Sequence, residues 1–461
     1  MGAMNIDRRS LVLVISALIV LPFDLFVHSA PLSGTDDGSE QWGYVEVRPK
    51  AHLFWWWYKS PHRVEDPTKP WPTLLWLQGG PGVSGVGFGN FGEIGPLNGN
   101  LEPRNATWLC KADLLFVDSP VGTGFSYTED ESLMVKTDYE AAADMTTLLM
   151  ELFNKNETLQ RSPLYIFAES YGGKFAVTLG LTVLESIDAG KLKLQLGGVA
   201  LGDSWISPED FMLSWGPLLK DVSRIDNNGL NSANSLALKA QKQIAEGKFK
   251  DAADTWSELE DAIGESSNYV SFYNFMLDEG SNLVARRKST ARPIGLVRNV
   301  FADYVTGSKG LISGLSSLMN GPIKKKLKII PENLSWQSFS DPVFSALNGD
   351  FMKPRIEEVD KLLAKAINVT IYNGQLDLIC ATKGVEAWIN KLKWDGLKNF
   401  MLEDRRPLYC GLDASVTKGF AASYQNLFLY WILGAGHMVP IDQPCVSLEM
   451  VGRVTQSPSA F

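Results

Sequence analysis

The chain of 461 residues is poor in cysteine and histidine, with four of each. None of these residues has the spacing of a zinc site, so we expect no metal and no other cofactor. Positive charge is also in deficit, because the formal net charge is -9 at pH 7. This balance argues against nucleic acid as a partner.

Long hydrophobic runs are scarce as well. The exception is residues 11–21, which follow two arginines and precede small residues at positions 29 and 30. This run is shorter than the roughly 20 residues that span a bilayer, and the layout predicts a signal peptide over residues 1–30. An uncleaved anchor is the alternative, since His28 is unusual three residues before the cleavage site. We therefore expect a secreted or lysosomal protein without stable membrane insertion after signal removal.

Asparagine sequons agree with a secretory route. Four Asn-x-Ser/Thr tripeptides predict N-glycosylation, although such tripeptides also occur by chance. They are centred on Asn105, Asn156, Asn333 and Asn368.

The composition is that of an ordinary globular protein, with 45% apolar and 21% charged residues. The length suggests one large domain with an insertion, or two domains. A predicted hairpin at 41–58 precedes short apolar strands that alternate with helical segments, which indicates a mostly parallel sheet with helices on both faces. The strands are predicted at 73–77, 113–118, 164–167, 196–202, 367–372 and 427–433.

Between residue 208 and about residue 331 the strands give way to helical patterns, as at 232–247 and 251–263. We interpret this region as a helical cap above the sheet. The predicted division is therefore a core over 31–207, a cap insertion over 208–335 and the rest of the core over 336–461.

Residues 164–173 contain the predicted nucleophile. Apolar residues typical of a buried strand lead into a small-x-Ser-x-Gly turn centred on Ser170, and an amphipathic run follows at 174–187. Strand, sharp turn and helix in this order predict a nucleophile elbow, which exposes the serine hydroxyl at the top of a sheet. The alternative is that Ser170 only caps the helix.

A serine nucleophile needs a base, and the base needs a third group that fixes its tautomer. On such an elbow the acid and then the histidine follow the serine, each at a strand end. His437 is the only histidine after Ser170, and it lies on a glycine-rich loop after an apolar strand. Asp377 closes the strand before it and is the predicted acid, with Asp203 as the alternative.

Residues 78–82, Gln-Gly-Gly-Pro-Gly, follow an early strand and predict the other half of the site. Glycines allow a backbone amide to approach a developing oxyanion, and the second donor would be the amide of Tyr171. An ordinary glycine–proline loop is the alternative.

Several ordered stretches together resemble the serine carboxypeptidase family. Residues 76–78, 201–207 and 319–323 are similar to its retinoid-inducible branch. The resemblance covers nearly the whole chain after residue 30 and implies an α/β-hydrolase fold with an inserted helical cap. The stretches are 76–82, 91–96, 120–127, 169–173, 372–377 and 436–440.

The same resemblance implies a reaction. Ser170, Asp377 and His437 would form the catalytic triad, and the amides of Gly80 and Tyr171 would form the oxyanion hole. The implied activity is release of C-terminal residues from peptides or proteins through an acyl-enzyme. Acyl transfer by the same triad and a partner-stabilising role with incidental catalysis are the alternatives. A homodimer is compatible with the sequence, but no pattern indicates one.

The family binds the free C-terminal carboxylate of its substrate through one asparagine and two glutamates. Glu93 and Glu169 match the glutamates, whereas the third position is Gln78, one methylene longer than the usual asparagine. Carboxyl groups beside a substrate carboxylate cannot all be ionised, so a shared proton is expected and acid pH would favour binding. Surface salt bridges are the alternative role for the two glutamates.

The four cysteines allow three pairings, and their spacing does not choose among them. The family often has Cys-Ser-Ser where this chain has Val-Ser-Gly at 83–85, which implies that one family disulfide is missing. Cys380 matches a position where the family commonly keeps an unpaired thiol beside the active site. A disulfide of Cys380 with Cys410 or Cys445 is the alternative; the fourth cysteine is Cys110.

Overall fold

The computed structural model describes residues 33–64, 69–279, 314–411 and 415–458. The predicted signal peptide lies outside the described residues, as does part of the predicted cap. Within the described ranges, no helix combines the length and the apolar character needed to cross a membrane.

Twelve strands of the described chain form one mixed sheet in the order β1-β2-β3-β5-β4-β7-β8-β9-β12-β11-β10, with β6 paired to β3. The six adjacent strands from β5 to β12 are parallel, as predicted, and the outer strands are antiparallel. The strands are β1 Ser33–Gly34, β2 Glu40–Arg48, β3 Ala51–Tyr58, β4 Thr73–Leu77, β5 Asp113–Val117, β6 Tyr127–Thr128, β7 Leu164–Glu169, β8 Leu196–Gly202, β9 Val369–Gly374, β10 Arg406–Leu408, β11 Gly419–Tyr424 and β12 Leu427–Ile432.

The central strands follow from their sequences. Strands β4, β5, β7 and β9 are buried at every residue, which is the pattern of parallel strands covered on both faces. Their C-terminal ends meet at one edge of the sheet, where such sheets bind ligands. Strands β10 and β11 were not among the predicted strands, because they are short or half-exposed and lack a clean apolar alternation.

Helices flank the sheet. The predicted amphipathic run at 174–187 lies in α3, and the predicted helical runs at 232–247 and 251–263 correspond to α5 and α6. The α-helices are α1 Asp138–Phe153, α2 Glu157–Arg161, α3 Gly172–Asp188, α4 Pro208–Asp221, α5 Asn227–Ala245, α6 Phe249–Ser267, α7 Leu315–Leu318, α8 Lys324–Leu327, α9 Asp341–Phe351, α10 Ile356–Ala364, α11 Thr382–Ile389, α12 Leu397–Phe400, α13 Val439–Asp442 and α14 Pro444–Val454. Wider, π-type turns form Gly85–Ile94 and Met319–Ile323, and short 3₁₀ turns form Trp108–Cys110 and Glu131–Leu133.

A buried ion network joins α1, α3, α9 and the segment between α9 and α10. Asp138 accepts from Nε of Arg355 at 2.9 Å and lies 3.4 Å from Nζ of Lys174. Asp350 pairs with Arg355 at 2.5 Å. Asp138 also accepts a hydrogen bond from the hydroxyl of Tyr171 at 2.7 Å, so the network extends to the residue that follows Ser170.

The predicted cap contains α4 to α8 among the described residues. Trp256 of α6 contacts the same cavity as Ser170, so this helical region contributes to the site. The division into 31–207, 208–335 and 336–461 stays a prediction.

Candidate active site

Ser170 directly follows β7 and is separated from the start of α3 by Tyr171. Its φ of +59° lies in the left-handed region, which costs energy for a residue with a β-carbon and is the strain expected of a nucleophile elbow. A β-carbon at Gly172 would lie 2.3 Å from the carbonyl oxygen of Leu77, so the turn packs directly against β4. No side chain caps the N-terminus of α3, so Ser170 does not have the simple capping role that was the alternative.

The predicted acid and base are in contact. Nδ1 of His437 lies 2.9 Å from Oδ2 of Asp377, and both side chains are buried. A carboxylate at Nδ1 favours the tautomer that carries its proton there, which leaves Nε2 able to accept one. Nε2 is buried and has no hydrogen-bond partner among the described residues. His437 and Ser170 line the same cavity.

Asp203, the alternative acid, is also fully buried but bonds elsewhere. Its Oδ1 accepts the N–H of Gly374 at 2.7 Å, and its carboxyl group faces that of Asp377. Burial and the charge of Asp377 raise the pKa of Asp203 well above its usual range. The structure thus places Asp377, rather than Asp203, against His437.

The glycine loop after β4 runs beside the elbow. A β-carbon at Gly79 would lie 2.6 Å from Cβ of Ser170 and 2.9 Å from the backbone N of Tyr171. Gly80 has a φ of +110°, a conformation that favours glycine. Gly80 and Tyr171, the predicted oxyanion donors, both border the cavity that contains Ser170.

The predicted carboxylate-binding residues are buried together rather than exposed as surface ion pairs. Nε2 of Gln78 donates to Oε1 of Glu169 at 2.8 Å, and Oε1 of Gln78 accepts from the indole of Trp76 at 2.6 Å. Hydrogen bonds therefore fix both the nitrogen and the oxygen of the Gln78 amide. Glu93, from the π-type segment, faces Glu169.

The two glutamates form a coupled carboxyl pair. Burial raises the pKa of Glu93 to about 7, although the neighbouring side chains of Glu169 and Gln78 act in the opposite direction. Burial and the charge of Glu93 raise the pKa of Glu169 well above its usual range. Among the described residues, no hydrogen-bond partner contacts either carboxylate oxygen of Glu93 or Oε2 of Glu169. A pair of this kind retains a proton that it can donate to an anion.

The rest of the cavity wall is aromatic and apolar. Sequence reasoning did not identify these residues, because they come from distant segments and carry no local signal. The indole of Trp76 bonds to Gln78, and this partner was open to prediction, since residues two apart in a strand share a face. The wall residues are Val83, Trp205, Trp256, Tyr273, Phe339, Phe351, Ile379 and Met438.

Asp377, Cys380 and His437 have ligand atoms within 4.8 Å of one another. Burial and the charge of Asp377 raise the pKa of the Cys380 thiol well above its usual range. A metal needs the thiolate, and the other two side chains already bond to each other, so this donor set suits a metal poorly.

The cysteine alternatives are resolved by the structure. Cys410 and Cys445 form a disulfide, whereas Cys380 and Cys110 are free. The interpretation of Cys380 as an unpaired thiol beside the active site is confirmed, and its alternative disulfide is not formed.

The predicted glycosylation sites lie at or near the surface. Asn105 and Asn333 are exposed, and Asn156 and Asn368 are partly exposed. Oδ1 of Asn156 accepts the N–H groups of the first turn of α2. Glycosylation at the four positions stays a prediction.

The sheet order, with a serine elbow at a central strand and a buried Asp–His pair at neighbouring strand ends, defines the chain as a hydrolase of the α/β-hydrolase fold. The model of the family described as serine carboxypeptidase matches residues 31–457. The chain therefore belongs to the serine carboxypeptidase family.

Curated relatives agree with this assignment. Serine carboxypeptidase-like 51 of Arabidopsis thaliana is 60% identical over 430 residues, 92% of this chain and 93% of that protein. The human retinoid-inducible serine carboxypeptidase is 43% identical over 443 residues, 95% of this chain and 97% of that protein. The crystal structure of a prohormone-processing carboxypeptidase from Saccharomyces cerevisiae superposes with a TM-score of 0.70 at 24% identity, covering 90% of this chain and 91% of that one, which bears on the fold.

Proposed function

We propose that this enzyme releases single residues from the C-termini of peptides and proteins through an acyl-enzyme on Ser170. The observation that supports this most is the buried contact between Asp377 and His437, which leaves Nε2 of His437 without a partner in the cavity that Ser170 lines.

In the proposed reaction, Nε2 of His437 takes the proton of the Ser170 hydroxyl as its Oγ attacks the scissile carbonyl carbon. The carbonyl oxygen becomes an oxyanion, which the amides of Gly80 and Tyr171 stabilise. The C–N bond then breaks, and His437 returns the proton to the leaving amino group. Water attacks the ester by the same route and restores the free serine.

Gln78, Glu93 and Glu169 are proposed to bind the C-terminal carboxylate of the substrate. A protonated glutamate can donate a hydrogen bond to that carboxylate, whereas two ionised glutamates would repel it. The raised pKa values of Glu93 and Glu169 support a preference for acid pH.

We further propose that the protein follows the secretory route and is secreted or lysosomal. The Cys410–Cys445 disulfide supports this placement, because disulfides persist in oxidising compartments.

Digestion of a peptide library tests the activity. The wild type should shorten peptides one residue at a time from the C-terminus, and matched peptides with an amidated C-terminus should resist. The Ser170→Ala variant is the control for contaminating proteases. Internal cleavage, or equal cleavage of amidated peptides, would contradict the proposal, and an added amine or alcohol acceptor would reveal acyl transfer as a new product.

A further inference from the structure

Asp203 is a fully buried carboxyl group that the proposed reaction does not use. It directly follows β8, next to β9, and its backbone N–H donates to the carbonyl of Tyr372 at 2.9 Å. Its φ of +42° lies in the left-handed region, where aspartate and asparagine are among the few tolerated non-glycine residues. The backbone and the bond from Gly374 to Oδ1 thus hold this side chain in place.

The second oxygen of Asp203 has no donor of its own in the described part of the chain. Oδ2 is buried, and no N–H or O–H of the described residues donates to it. The carboxyl group of Asp377 lies within hydrogen-bonding reach of Asp203. Asp377 already accepts from His437 through Oδ2 and from the backbone N–H of Cys380 through Oδ1 at 3.3 Å. Two buried carboxyl groups in contact cannot both be ionised without a large cost, so one proton is held between them.

The surroundings decide which aspartate carries that proton. Among the described residues, Asp377 is hydrogen-bonded to both His437 and the backbone N–H of Cys380, whereas Asp203 accepts only from the N–H of Gly374. Apart from the N–H of Gly374, the groups that act on Asp203 are acidic, and none of them favours a second negative charge. They are Asp442 on α13, Glu169 on β7, Tyr372 on β9 and Cys380 after β9.

We propose that Asp203 is a positioning residue whose protonated Oδ2 donates a hydrogen bond to Asp377 and holds that carboxylate against His437. This inference rests on the proposed role of Asp377 and His437 in the reaction. Loss of the proton at higher pH removes the donor and adds a negative charge beside the triad, so turnover should fall.

Two variants separate the donor from the acid. Asp203→Asn keeps an acceptor for Gly374 and supplies a permanent N–H donor to Asp377, and asparagine tolerates the left-handed backbone. Asp203→Ala removes the donor. The pH profile of kcat is measured with an N-blocked amino-acid alkyl ester, whose leaving group has no carboxylate, so the titration of Glu93 and Glu169 does not enter through substrate binding.

At acid pH, we expect kcat of Asp203→Asn to stay within about threefold of the wild-type value. The decrease in kcat that the wild type shows at alkaline pH should be absent in this variant or shifted to higher pH, because its amide does not titrate. Asp203→Ala should lower kcat roughly tenfold with little change in KM, since an orienting hydrogen bond is lost. The proposal is overturned if Asp203→Asn is as impaired as Asp203→Ala, or if the wild-type and Asp203→Asn profiles coincide. The comparison of the wild type with Asp203→Asn tests the proposal even if the Asp203→Ala variant does not fold.

Labelling by a fluorophosphonate separates this test from the proposed function. A Ser170→Ala protein that still reacts with the probe would refute the serine mechanism itself. Serine-dependent labelling combined with coincident pH profiles would refute only the role of Asp203.

Discussion

His437 and Asp377 are joined by a 2.9 Å contact between Nδ1 and Oδ2, and neither side chain is exposed to solvent. Replacing the carboxylate by an amide in Asp377→Asn favours the wrong imidazole tautomer, so kcat should fall on the order of 10⁴-fold with KM little changed. Steady-state kinetics with a peptide substrate measure this. Normal turnover of Asp377→Asn would transfer the acid role to Asp203.

The coupled pair of Glu93 and Glu169 predicts a pH-dependent KM. The pKa of Glu93 is raised to about 7, so Glu93 holds its proton at acid pH and loses it as the pH rises through neutrality. KM for a peptide should therefore rise between about pH 5 and pH 7.5, because the lost proton removes a donor to the substrate carboxylate.

Glu93→Gln is the matched variant for this pH effect, since its amide donates without titrating, and its KM should vary less with pH. A wild-type KM that is flat over the same range would show that the pair does not bind the substrate carboxylate.

Gln78 provides a test of the carboxylate-binding site. Its amide forms hydrogen bonds with both Trp76 and Glu169. In the Gln78→Asn variant the side chain is one methylene shorter and cannot form both hydrogen bonds. Losing one buried hydrogen bond should raise KM for a peptide roughly tenfold. The kcat for an alkyl ester without a leaving-side carboxylate should stay unchanged. If the variant instead lost kcat/KM equally on the peptide and on the ester, the substitution would have disturbed the site as a whole.

Stability depends on the buried ion network around Arg355. Its guanidinium bonds to Asp138 and Asp350, and Arg355→Met would leave these carboxylates with too little positive charge. We expect the free energy of unfolding to fall by about 3–5 kcal/mol, measured by urea denaturation. The control is Lys242→Met, whose solvent-exposed pair with Glu246 should contribute little to the free energy of unfolding. Similar losses for both variants would refute this account.

Local patterns carried much of the prediction. The strand before Ser170 is a continuous apolar run that ends in a small-residue turn, and this signal predicts both a buried strand and the elbow. The lone histidine after Ser170 predicted the partner of Asp377, because the chain order of such sites restricts the choice. The first prediction required only a few adjacent residues, and the second required only a count of the histidines after Ser170.

Contacts between distant segments were beyond these patterns. The Cys410–Cys445 disulfide, the aromatic wall that includes Trp256 and the contact between Asp203 and Asp377 depend on how separate elements pack. Strand β10 has only three residues, and its pairing with β11 is a tertiary interaction that short-range alternation does not encode.

The most direct test of the central claim is to label the wild type with a fluorophosphonate probe and to map the modified residue by mass spectrometry. The serine mechanism predicts stoichiometric modification of Ser170, no labelling of Ser170→Ala and a loss of kcat of up to about 10⁶-fold in that variant. Modification at another residue, or full peptidase activity of Ser170→Ala, would contradict it.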